Sequence, residues 1–410
     1  MSAKEQSGQH KPPSTVGKGD RSLHAGLEEI AIIPAQLYGS PPRDPYREPI
    51  KTDLVLGEGT AENPIKLETP ILIAGVPGAY ASLELREALL YGAGSAKTAV
   101  DCGWFGLTDA ERALAAELGA RTMVQLTSSR LGASAAVLAD SSAIILSLTH
   151  TGSGSINASV SSVCIPETLA PELSEALELP TERPVIGPPR LLDMDTPRDL
   201  NKLVQLMREL TMHKIPVLVK IGPGLVYNDI RIAVKAEVDG IVLDCMQDSG
   251  YATSYHKNII PVPFGSTGLP MLGVLAPALQ ALKDSKAKKS GVKLLVQGEL
   301  QSGADIFKVM AFGASGVILA SAPLRAAGAI SEGSGSIKIP SKFKPRDAGK
   351  LIAEHLESTL MELRALTAWT GHDSIEEINP DNLRALCFNT AAITGLKLTG
   401  YEKILTMWEH

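Results

Sequence analysis

Hydrophobic residues in this chain fall in short, near-continuous runs separated by amphipathic stretches. The runs are Ile71–Gly75, Thr98–Asp101, Arg121–Leu126, Ala143–Thr149, Pro216–Gly222, Gly240–Cys245, Lys293–Gly298 and Gly316–Ser321. A run apolar at consecutive positions suits a strand buried on both faces, as in a parallel sheet covered by helices. Between most of them the period lengthens toward that of a helix, at Leu83–Tyr91, Thr108–Leu118, Pro197–Met212, Tyr227–Ala236 and Gly303–Ala311. Thr108-Asp109-Ala110-Glu111 has the form of a capping box, and Thr196-Pro197 places a proline at a first helical position. Eight strands alternating with helices over roughly 250 residues match an α/β protein of the (β/α)8 TIM-barrel type.

The flanks are less regular. Residues 1–27 read as a disordered polar tail, and 28–66 as a lead-in with the proline-rich turn Ser40-Pro41-Pro42-Arg43-Asp44-Pro45. The barrel is expected over 67–330, with an insertion at 150–215 after the fourth strand, where such loops build an active-site rim. Residues 331–410 are expected to form a loop and a helical extension, with helices over Asp347–Thr370 and Asp381–Thr394. Lys283–Lys293 reads as a solvated loop entering the seventh strand.

Composition narrows the function. With 410 residues and 44% hydrophobic side chains, the chain has ample material for a core. A net charge of −6 disfavours a nucleic-acid binder, whose footprint would be basic. Aromatics make up only 4%, which disfavours a β-sandwich packed on rings. Cys102, Cys164, Cys245 and Cys387 lie far apart and form no C-x-x-C unit, so zinc ribbons and locally spaced Fe–S ligands lack support. They read as small buried hydrophobes. The first twenty residues lack the apolar core of a secretory signal and no long apolar span follows, so no membrane and a cytoplasmic location are expected.

Catalytic groups of such barrels sit at the C-terminal strand ends. Lys220 closes the fifth run, Val217-Leu218-Val219-Lys220, where a cation is costly unless it meets an anion or an electron-rich ligand. Either an ion pair with a nearby carboxylate or a catalytic role satisfies that need, and the latter is preferred. Asp244 ends the sixth run as a structural acceptor or a proton-transfer group; His150 and His256 fall in rim loops. The turns after the seventh and eighth strands commonly hold phosphate. Here Gly298 and Gly303 permit close approach, and Ser302 either donates to an oxygen or caps the next helix. Glu299 sits badly beside a phosphate and must point away if one binds.

The succession Thr69-Pro70-Ile71…Ala74-Gly75, Ser129-Arg130-Leu131-Gly132, Val219-Lys220-Ile221-Gly222, Asp244…Met246-Gln247 and Gly298…Gly303-Ala304-Asp305 resembles the FMN-binding domain of glutamate synthase. It is nearest to short stand-alone members such as the large-subunit-like protein of N-methylglutamate synthase, from about Asp44 to Thr399. The resemblance implies an FMN-bearing barrel that reduces an imine made from a 2-oxo acid and ammonia. A partner glutaminase would supply the ammonia and a separate subunit the electrons, in an oligomeric assembly. It implies a catalytic Lys220 beside the flavin pyrimidine edge. It places Lys220, Gln247, Gly298, Ser302, Gly303 and Ser321 around the cofactor and Arg130 and His150 around the substrate. No Fe–S cluster is implied for the short members.

The chain departs from the family pattern at ligand loops: Glu299 and Gln301 after Gly298, Ala320-Ser321 after the eighth strand, Val76-Pro77-Gly78-Ala79-Tyr80 after the first. His150-Thr151-Gly152 lacks the lysine of the keto-acid loop, and Asp248-Ser249 replaces paired glycines. Two readings remain: an FMN-dependent oxidoreductase acting on a C–N bond, and a flavin-free relative serving as a non-catalytic or regulatory subunit.

Overall fold

The computed structural model describes residues 26–37, 40–76, 81–103, 106–128, 130, 132–148, 162–163, 185–186, 191, 193–245, 269–331 and 337–408. Eight parallel strands close into a barrel: β1 (Ile71–Ile73), β2 (Ala99–Asp101), β3 (Arg121–Leu126), β4 (Ala143–Ser147), β5 (Val217–Ile221), β6 (Gly240–Asp244), β7 (Lys293–Gly298) and β8 (Gly316–Leu319). Closure comes from β8 pairing with β1, with Val317 opposite Ile71 and Leu319 opposite Ile73. The eight runs read from the sequence are these eight strands, each trimmed by no more than two residues at an end.

Each strand is followed by a helix: α1 (Leu83–Ser95), α2 (Asp109–Leu118), α3 (Ala135–Asp140), α4 (Asp199–Leu210), α5 (Val226–Lys235), α6 (Met271–Asp284), α7 (Gly303–Ala311) and α8 (Ser321–Ala326). The capping box forms as expected, with Glu111 N–H donating to Thr108 Oγ1 at 3.2 Å and Thr108 N–H donating to Glu111 Oε2 at 2.8 Å. The proline signal is displaced. Helix α4 starts at Asp199, whose carboxylate accepts from the Thr196 N–H at 2.8 Å, so Thr196 and Pro197 form the turn before it.

Side chains alternate across each strand, so a strand's inward residues recur at every second position. Leu72, Ala99, Met123, Ala143, Ile145, Leu218, Val242, Leu295 and Ile318 fill the barrel interior in one buried cluster. Part of the lead-in completes it. Leu54–Leu56 and Ile65–Leu67 pair as an antiparallel hairpin, and Leu54, Leu56, Ile65 and Leu67 join the same cluster. Leu54 lies against the first residue of β8, which places the hairpin under the N-terminal mouth. With that end plugged, the opposite end faces the loops.

Beyond the barrel, α9 (Pro345–Trp369) lies across α1 and α7 and buries Ile352, Leu356 and Leu363. The second C-terminal helix is shorter than expected. Leu383–Ala385 instead forms a strand paired antiparallel with Ile30–Ile32, and only α10 (Phe388–Thr394) is helical. The free edge of Ile30–Ile32 takes those backbone groups and outweighs local helix preference. Lys283–Lys293 includes a short helical turn, Ala287–Ser290, before β7. Most of the tail and of the 150–215 insertion lies outside the described residues.

Candidate active site

Two residues beyond the last apolar inward position of most strands the interior becomes polar. Ala99 is followed by Asp101, Met123 by Gln125, Ile145 by Ser147, Leu218 by Lys220, Val242 by Asp244 and Leu295 by Gln297. By strand period these six share one layer at the C-terminal end of the barrel. On β1 and β8 the same step arrives at Ala74 and Ala320, so the layer has a polar arc and a small-residue gap. All six polar residues are buried.

Lys220 is the hub. Its Nζ donates to Gln297 Oε1 at 2.9 Å, and lies 3.0 Å from Asp244 Oδ2 and 3.7 Å from Asp101 Oδ2. Asp101 is held by the Gly103 N–H at 2.9 Å and by Gln125 Nε2 at 2.7 Å. Burial acts most strongly on Lys220 and would lower its pKa, but Asp244 and Asp101 outweigh it and hold the ammonium above its ordinary value. Burial is also the largest influence on Asp101 and raises its carboxyl. Lys220, Gly103 and Gln125 oppose that rise and Asp244 adds to it. One cation thus faces two carboxylates in a dry layer, and burial holds the Asp101 carboxyl above its ordinary value.

The turns after β7 and β8 are filled by the protein's own carboxylates. The Gln301 and Ser302 N–H groups donate to Asp305 Oδ2 at 3.0 and 3.2 Å, and the Gly303 N–H donates to Glu362 Oε2 on α9 at 2.8 Å. Ser302 acts as the α7 cap, its Oγ accepting from Asp305 N–H at 3.2 Å. Gly303 is needed where α7 meets α9, since a Cβ there would lie 2.6 Å from Leu363 N and 2.8 Å from Thr359 O. Above Gly298 the space is taken by Met271, whose Cε would be 2.3 Å from an added Cβ. Ser321 donates its hydroxyl proton to Glu299. Arg325 donates to Ser321 Oγ at 2.6 Å and to Gln301 Oε1, and lies 4.0 Å from Glu299.

The residues singled out in the sequence therefore divide into groups. Lys220 and Asp244 meet in the polar layer; Gly298, Ser302, Gly303 and Ser321 belong to the turns just described. Arg130, at φ +55°, pairs with Asp193 on a half-exposed surface and meets none of the layer residues. Gln247, His150 and His256 lie outside the described residues. Asp101, Gln125, Ser147 and Gln297 escaped notice in the sequence, although the alternation that marks the strand interiors, carried two positions further, identifies all four. Among the described residues no helix is long and apolar enough to cross a membrane, and no group of three His, Cys, Asp or Glu could hold a metal ion.

A closed (β/α)8 barrel with a buried cation among carboxylates and amides at its catalytic end defines an enzyme-type barrel. Solved structures of the same shape include a mandelate oxidase variant with a monooxide FMN adduct, at TM-score 0.53 and 18% identity, covering 87% of this chain and 88% of that one. A Pediococcus acidilactici protein described as a putative lactate oxidase gives TM-score 0.54 at 16% identity, covering 88% and 85%. At such identities the likeness is one of fold. Sequence goes further: residues 44–333 match the conserved region in glutamate synthase. A glutamate synthase large subunit-like protein of Rhizobium meliloti is 30% identical over 94% of this chain and 90% of its own length. The archaeal glutamate synthase [NADPH] of Methanocaldococcus jannaschii is 24% identical over 94% and 81%. The chain belongs to the glutamate synthase family.

Proposed function

We propose that this chain is an FMN-type oxidoreductase of glutamate-synthase type acting on a C–N bond: it reduces the imine formed from a 2-oxo acid and ammonia. Two electrons and two protons convert such an imine to the amine. NADPH, in the names of several relatives, points to reduced pyridine nucleotide as their source, through an electron-donor subunit. A glutaminase-type partner would deliver the ammonia. The observation that carries the reading is Lys220, fixed by Gln297 and Asp244 at the end of the barrel where this fold does its chemistry.

The residues fit a flavin at one end only. A buried ammonium with the amides of Gln125 and Gln297 offers hydrogen-bond donors suited to the carbonyl oxygens of a pyrimidine edge. A flavin bound there would supply the hydride transfer. Lys220 would orient the ring and favour negative charge on it, while Asp101, with its raised carboxyl, would hold a proton nearby. The other end does not fit. The N–H groups of residues 301–303 are satisfied by Asp305 and Glu362, and Glu299 stands between the two turns. That mismatch favours a second reading, a flavin-free family member serving as a non-catalytic subunit.

The visible absorption spectrum of gently purified protein separates them. Flavin bands that survive gel filtration are expected from the first reading. A colourless protein that ignores added flavin removes it and leaves the second. If flavin is present, Lys220→Met should slow its reduction by roughly a hundredfold, the loss of about 2.7 kcal/mol of charge stabilisation. Unchanged reduction kinetics would remove Lys220 from its role.

A further inference from the structure

The structure assigns Glu299 as a specificity residue: we infer that its carboxylate closes the phosphate position of this barrel and turns the ligand preference from a phosphate-terminated flavin toward an unphosphorylated one. The inference deepens the flavin reading above and rests on it. In a (β/α)8 barrel the phosphate position lies between the turns after the seventh and eighth strands. Here Glu299 leaves the first turn and takes the Ser321 hydroxyl at the start of the second, while Gln301 Nε2 donates to it at 3.5 Å.

The donors of the first turn, and the arginine shared between the turns, already have acceptors. The Gln301, Ser302 and Gly303 N–H groups are taken by Asp305 and Glu362. Arg325, the nearby cation, is shared among Ser321, Gln301 and Glu299. A phosphate dianion entering this space would meet a carboxylate and no unengaged donor among these groups. The terminal hydroxyl of an unphosphorylated ribityl chain, by contrast, is a donor that a carboxylate accepts. Glu299 is 41% exposed in its side chain, so the discrimination is that of a partly solvated charge.

The test is equilibrium titration of the flavin-stripped full chain with FMN and with riboflavin, followed by flavin fluorescence. It is run on the native sequence, on Glu299→Gly and on Glu299→Gln, with melting curves to show that both variants are folded. The native chain should bind riboflavin at least as tightly as FMN. Both variants should tighten FMN by roughly tenfold and leave riboflavin within about twofold, as expected when one repulsive charge is removed. A native chain that prefers FMN tenfold, or variants with unchanged FMN affinity or a parallel loss of both ligands, overturns the assignment and leaves the flavin reading standing. If only the variants take FMN and the native chain takes neither flavin, the preference for an unphosphorylated flavin falls together with the flavin reading. Three proteins that all ignore both flavins overturn the two together.

Discussion

Replacing Lys220 with methionine keeps the length of the side chain and removes its charge, which isolates what the ammonium does in the polar layer. In the native chain Nζ sits 2.9 Å from Gln297, 3.0 Å from Asp244 and 3.7 Å from Asp101, and all four residues are buried. Removing one partner of such a pair leaves a carboxylate charged in a low-dielectric interior, a loss of about 3–5 kcal/mol. That is a large share of the roughly 5–15 kcal/mol by which domains are stable. With a denaturant slope of about 3 kcal/mol per molar, the urea midpoint should fall by roughly 1–1.7 M. Adding Asp244→Asn should recover most of the loss, because a layer with both ions removed no longer buries an uncompensated charge. The deficit of Lys220→Met should also shrink as pH falls. Without the cation, the Asp101 carboxyl, already above its ordinary value, rises further, and protonation at lower pH then relieves the strain. A single variant within about 1 kcal/mol of the native protein, or a double variant no better than the single, would refute this account of the layer.

Asp101→Asn tests the other carboxylate. The folded-state pKa of Asp101 lies above its ordinary value of 3.8, so its contribution to stability is fully present below 3.8 and is lost as pH rises through the folded-state value. The urea midpoint of the native chain should therefore fall relative to that of Asp101→Asn as pH is raised from 4; the opposite slope would place the charge on Asp101 after all. Gly303→Ala should destabilise by about 1–3 kcal/mol in thermal melts, since the new methyl meets the backbone of α9 at Leu363 and Thr359. A melting temperature unchanged would mean that α7 and α9 separate freely. Burial pushes the Cys102 and Cys245 thiols far up, so native-state alkylation at pH 8 should spare both and mark the half-buried Cys387 before either. Rapid labelling of either buried thiol, read by peptide mass, would count against the packing described.

The barrel was legible because its strands are buried on both faces and leave continuous apolar runs, a local signal. The C-terminal extension was less so. Leu383-Arg384-Ala385 carries no strong strand signal and becomes one only because Ile30–Ile32, far away in sequence, offers an edge. Helix α6 is not among the stretches read as helical, and it carries inside it Pro277, a helix breaker by local rules. At the site, Lys220 and Asp244 were visible as charges misplaced at the ends of apolar strands. Gln125 and Gln297 were not, since a neutral amide in such a run costs little enough to escape notice.

By itself the sequence determined the barrel and two of the positions at which charge enters its interior, Lys220 and Asp244, because continuous apolar runs and the cost of burying a charge are written locally. Only the closed barrel decided what those charges meet. Lys220 and Gln297 are 77 residues apart and touch because β5, β6 and β7 stand side by side. The same holds for the turns after β7 and β8. Gly303 read locally as a place for a ligand, and the packing of α9, some sixty residues on, made it a place for another helix. Whether a glycine or a charge faces a ligand or the protein itself depends on which distant element arrives beside it.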